Sequence, residues 1–229
     1  MNSHARKVTL SLLVIYMVFA LAGCGGQPAK PAEPAEAPKA AESIPVGVVL
    51  PMTGANAYIS RDHLNGFKLA IDEANAAGGI SGRKIELFIE DDRSTPSESV
   101  SCTRKLITQH KVVAILGPFN SSCALAARDV TKEANVPQLL VGASTDSVVV
   151  GYPNVFRLGS NNTLQTIPFV EWLVVEKGKK NVAVLYENTD WGRGLCEMSE
   201  KVVLDKGVRS LSRRTITLAP LTSPRLSPR

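Results

Sequence analysis

Histidine is scarce here and scattered. His4, His63 and His110 share no spacing that would close them on a metal ion, so no metal centre is expected. Cysteine is nearly as rare, with only Cys24, Cys102, Cys123 and Cys196, and aromatic residues make up 5% of the chain. No Gly-x-Gly-x-x-Gly follows the first apolar segment, and neither a phosphate-binding loop nor a nucleophile elbow occurs, which argues against a nucleotide-dependent enzyme or a hydrolase. Acidic residues are missing from both ends. Residues 1–24 carry Arg6 and Lys7, and the last twenty carry Arg213, Arg214, Arg225 and Arg229. The other 20 of the 26 Lys and Arg therefore face all 21 Asp and Glu across residues 25–209. The net charge of +5 thus belongs to the termini, and there is no basic surface of the kind that nucleic acid requires.

A run long enough to span a bilayer is also lacking. The apolar stretch Val8–Ala22 has 15 residues, where a spanning helix needs about 20. It follows Arg6 and Lys7 and ends in Leu21-Ala22-Gly23-Cys24, small residues before a cysteine. This resembles a bacterial lipobox, which implies that residues 1–23 are a lipoprotein signal peptide and that Cys24 is acylated, burying methylenes in a membrane. Residues 24–43 form an Ala/Pro-rich linker, with Pro28, Pro31, Pro34 and Pro38 among Ala, Glu and Lys. The expectation is an exported lipoprotein, anchored at the periplasmic or outer surface.

From Ile44 the pattern alternates short apolar strands with amphipathic helices. Strands are expected over Ile44–Leu50, Lys84–Glu90, Val112–Leu116, Pro137–Val141 and Asn181–Tyr186. Helices are expected over Arg61–Ala77, Ser97–Gln109, Ser121–Ala134, Asn161–Lys177 and Gly192–Lys206. Strict alternation with short connections implies an α/β fold, a Rossmann-like parallel sheet with helices on both faces. Ligands of such sheets sit beyond the carboxyl ends of the strands. The loops there are Pro51–Ser60, Gly117–Cys123 and Gly142–Ser147, all rich in small hydroxyl and amide residues. Ser121 and Ser122 open a helix, where free N–H groups attract an anion such as a ligand carboxylate. The same serines could merely cap that helix. Asp91-Asp92, at the end of a strand, is expected to be solvated.

Several segments together resemble the branched-chain amino-acid-binding proteins of ABC transporters: Val46-Gly47-Val48-Val49-Leu50-Pro51-Met52-Thr53-Gly54, Asp72–Lys84, Glu90-Asp91-Asp92, Val113–Pro118, Val155-Phe156-Arg157 and Val182–Gly194. The resemblance covers about residues 44–209. It implies a type I periplasmic binding-protein fold of two lobes, the first over 44–157 and a partial second over 158–209, with the first crossing near Arg157–Ser160. It implies solute binding without chemistry or cofactor, by a monomer that delivers an amino acid or related small molecule to permease subunits. Ser121 matches the family serine on the ligand carboxylate. Ala143 and Thr145 match the pair that meets the ligand's polar groups. Trp191 falls where a second-lobe tyrosine closes over the site, although it could also be a helix-start packing residue. Ile59, with Tyr58 before it, stands where many members have an aromatic. A Cys102–Cys123 disulfide stays open, and the three cysteines after Cys24 are an odd number for an exported chain.

Residues 210–229, rich in Pro, Ser and Arg, look like out-of-frame translation: Thr217–Pro228 can be back-translated so that a neighbouring frame resembles the family's next segment. The expectation is a truncated second lobe that lacks the family's acidic partner for a ligand ammonium, and hence weak binding. The rival reading is a ligand-sensing or regulatory protein of the same two-lobed fold; an adjacent permease gene would discriminate.

Overall fold

The computed structural model describes residues 42–54, 56–208 and 210–216. The signal segment, Cys24 and the linker to residue 41 lie outside them. Among the described residues no helix is long and apolar enough to cross a membrane.

The chain alternates as its patterning requires. Strand β1 (Ile44–Leu50) leads to α1 (Ala57–Ala76), β2 (Ile85–Asp91), α2 (Pro96–Thr108), β3 (Ala114–Leu116), α3 (Ser121–Glu133), β4 (Gln138–Leu140) and β5 (Val155–Arg157). These five strands form one sheet in the order β2-β1-β3-β4-β5, every pairing parallel. β1 is an interior strand and its last four residues are buried, which is why it carries no alternation. Successive side chains leave opposite faces. Val49 packs with Ile115, Cys102, Leu106, Val112 and Val136 beneath α2, while Val48 and Leu50 meet Leu64 of α1. A Cβ on Gly47 would lie 2.8 Å from Ile115 Cδ1 and 2.9 Å from Leu106 Cδ1, so glycine lets α2 settle close to the sheet. Across the sheet, Val48 pairs with Leu116, Leu116 with Leu139 and Leu139 with Phe156, whose ring is half exposed.

After β5 comes α4 (Asn162–Glu171), which passes into a π-helical turn at Trp172–Glu176. The expected single helix to Lys177 is therefore interrupted at Trp172, whose carbonyl accepts Lys177 N–H, five residues on, at 3.0 Å. β6 (Asn181–Glu187), α5 (Asp190–Asp205) and β7 (Ser210–Ile216) follow. β7 pairs with β6 in parallel along its whole length, so the first seven residues of the segment read as an aberrant tail form a strand. Val170, Val174, Val202, Val203 and Val208 make the core between this two-stranded sheet and its helices. Leu185 and Ile216 are exposed.

Helix starts differ from expectation. α1 begins at Ala57, because Gly54 and Asn56 carbonyls already accept the Ala57 and Ser60 N–H groups. α5 begins at Asp190, because the Thr189 hydroxyl caps Gly192 N–H at 3.2 Å. β5, three residues long, has too short a pattern to announce itself.

Candidate ligand site

Three loops meet at the carboxyl ends of β1, β3 and β4. The first, from Pro51 to Gly54, is held by the Asp91 carboxylate at the end of β2. Asp91 Oδ1 accepts Met52 N–H at 2.8 Å and Arg93 N–H at 2.9 Å, and Oδ2 accepts the Thr53 hydroxyl at 2.6 Å. Burial pushes this carboxyl up, but the Thr53 hydroxyl and the N–H groups of Arg93, Met52 and Thr53 outweigh it and leave the pKa below the ordinary value. Asp92 is fully buried. Its burial dominates and raises the pKa, although Ser94 N–H, the Cys123 thiol and the Ser99 hydroxyl favour the charged form. The expectation that both acids are solvated is thus corrected: adjacent residues on a strand face opposite sides, so one braces a loop and the other enters the core.

The third strand hands over at Gly117, whose φ of +100° and absence of Cβ admit Val49 O, which would lie 2.0 Å from a Cβ there. Phe119 then lies across Gly142, where a Cβ would be 2.2 Å from its ring, and faces His63 at 5.3 Å between centroids. Asn120, not a serine, occupies the N-cap of α3 and makes no side-chain cap bond. Ser121 and Ser122 are the first two helical residues, and their hydroxyls look outward from the helix. Ser121 Oγ accepts Thr145 N–H at 3.3 Å, and Ser122 Oγ accepts Asp190 N–H at 3.2 Å. Helix capping therefore does not explain them.

At the loop after β4, Arg157 of β5 donates to the carbonyls of Ser144 (3.4 Å) and Thr145 (3.0 Å), and Asp146 Oδ2 accepts both the N–H and the hydroxyl of Thr163. Buried Asn162 accepts the Ser144 hydroxyl at 2.9 Å and donates to Trp191 O at 3.3 Å, while the Thr145 hydroxyl donates to Asp190 O at 3.3 Å. Asp190 is held below the ordinary carboxylate range, first by the Ser122 hydroxyl and then, against its burial, by Arg193.

Five of the expected residues come together: Ser121, Ser122, Ala143, Thr145 and Trp191. Ala143 contributes its methyl to a core cluster with Ala124, Leu140, Val148 and Val155, so only its backbone is left to meet a ligand. Trp191 lies on the first turn of α5 and is 40% exposed. Tyr58 is on the first turn of α1 and exposed, and Ile59 is half buried with its carbonyl bonded to the His63 ring. Sequence reasoning gave no site role to Asp91, Arg157 and Asn162, which act through loop backbones, although Asp91 and Arg157 lie in segments that carry the family resemblance. Cys102, Cys123 and Cys196 are free thiols, all buried.

Residues 43–222 match the periplasmic binding protein family. The chain belongs to that family. Its members bind ligands for transport and are not enzymes. An amino acid binding protein of Pseudomonas aeruginosa is 31% identical over 173 residues, covering 75% of this chain and 46% of that one. The branched-chain amino acid transporter substrate-binding protein LivJ of Streptococcus pneumoniae, solved with isoleucine, superposes with a TM-score of 0.67 at 27% identity, over 76% of this chain and 50% of that one. A solute-binding protein of an ABC transporter from Rhodopseudomonas palustris, solved with 3,4-dihydroxybenzoic acid, gives 0.69 at 25% identity, over 78% and 48%. This chain thus spans about half the length of the binding proteins it matches.

Proposed function

We propose that the chain is the solute-recognising amino-terminal part of an exported binding lipoprotein, anchored through Cys24, that delivers amino acids of the branched-chain type, or related amides and small carboxylates, to an ABC permease. The observation that carries this reading is Ser121. It sits on the first turn of α3, buried, beside helix N–H groups that have no intrahelical acceptor. Its oxygen takes Thr145 N–H, which leaves its own proton to give. A carboxylate is the group such a corner suits. Isoleucine and dihydroxybenzoic acid, the ligands of two similar proteins, differ in every other respect but share that group.

The second wall is thin in this chain. Its described part has two strands with exposed Leu185 and Ile216, so we infer weak binding by the chain alone. A thermal-shift screen tests both points, with leucine, isoleucine, valine, benzoate and uncharged amides. It would compare this chain with a version whose tail is restored to the neighbouring reading frame. A ligand at a hundredfold excess over its Kd adds about 2.7 kcal/mol to stability. Shifts by carboxylates confined to the restored chain, and lost on Ser121→Ala, support the reading. Micromolar binding by the present chain would overturn the impairment, and a shift indifferent to Ser121→Ala would overturn the site.

A further inference from the structure

We propose that Ser122 is a clasp, holding the amino end of α5 against the first lobe. Asp190 is the first residue of α5, so its N–H is one of those that no carbonyl within the helix can accept. It is directed instead across to Ser122 Oγ at 3.2 Å. The Asp190 side chain is held separately, by the Arg193 guanidinium, which donates to Oδ1 at 2.8 Å.

Neighbouring contacts hold the same peptide. The Thr145 hydroxyl donates to Asp190 O, and Asn162, fixed by Ser144, donates to Trp191 O. Gly194, one turn further, leaves room for Asn162 Nδ2, which would lie 2.8 Å from a Cβ at that position. Ser122 is thus a positioning residue that sets how the Trp191 turn stands over the site. The clasp itself does not rest on the solute-binding reading.

Amide hydrogen exchange on the ¹⁵N-labelled full chain tests the clasp without any solute, so its failure and that of the binding reading are separable. In the unaltered protein the Asp190 amide should exchange at least tenfold more slowly than a free first-turn amide, because Ser122 alone can protect it. Ser122→Ala should abolish that protection while Gly192, capped by Thr189, and Val202 in mid-helix keep theirs. Ser122→Thr, which retains the hydroxyl, should preserve it, as should Ser121→Ala. An unprotected Asp190 amide in the unaltered chain overturns the proposal whether or not the alanine variant folds. So does protection that survives Ser122→Ala, or a loss spread evenly along α5.

Discussion

The Thr53 hydroxyl donates to the Asp91 carboxylate at 2.6 Å, and this bond joins the loop after β1 to the end of β2. Two backbone N–H groups of the same loop, Met52 and Thr53, also end on Asp91. An acid that the sequence offers as a solvated loop residue is therefore what shapes one wall of the site.

Asp91→Ala should destabilise the protein by about 1 kcal/mol, the low end for a charge-assisted network, since part of it is open to solvent. The pH dependence has a definite sign. The folded pKa lies below the unfolded one, so the contribution is complete above about pH 4 and fades as pH falls toward the lower folded value. Urea unfolding of the two proteins between pH 3 and 7 should show curves that converge at the acid end.

Asp92 should behave in the opposite way. Its burial raises the folded pKa, so stability falls as pH climbs from about 4 through that raised value. Asp92→Asn keeps an acceptor for Ser94 N–H, 3.0 Å away, and removes the charge. The variant should be at least as stable as the parent at pH 7 and should lose this slope. A loss above about 1 kcal/mol at pH 7 would show that the ionised form is the one the fold requires.

Gly117→Ala should cost about 3 kcal/mol or more, since the backbone there is left-handed and the new methyl would meet Val49 O. Chemical denaturation reads this directly, and a well-folded variant of parental stability would contradict the described turn.

The three thiols described should be inert in the native protein. Cys102 is pushed up to about 11 by burial and then by nearby carboxylates, and Cys123 is raised further by burial and Asp92. Titration with a thiol reagent at pH 8 should register none of Cys102, Cys123 and Cys196 until denaturant is added.

The sheet was legible because β1 has no polar residue to place on an outer face, and because Leu64, Phe67 and Ile71 recur at helical spacing. Ser121, Ala143 and Thr145 were found through strand-end loops and a family resemblance, and the structure brings Ser121 and Thr145 into contact. What stayed hidden has a common cause. Asp91, Asn162 and Arg157 bind backbone atoms far along the chain, so no local spacing marks them. The early start of α1 likewise depends on the Gly54 and Asn56 carbonyls, not on any residue type that signals a helix. The π-helical turn after Pro168 lies in a stretch whose apolar spacing still reads as plain α-helix.

The place of β1 in the sheet has a kinetic consequence. Ile44 must wait for Ile85 on one side and Val46 for Ala114 on the other. No hairpin can form early, because every neighbour is parallel and arrives after an intervening helix. The first of the described strands to leave a ribosome is thus wholly apolar and stays unpaired until β2 and β3 have followed it. A chain of this topology folds slowly for its size and exposes Val48–Leu50 meanwhile, and a holdase that recognises short aliphatic segments would find its first foothold there.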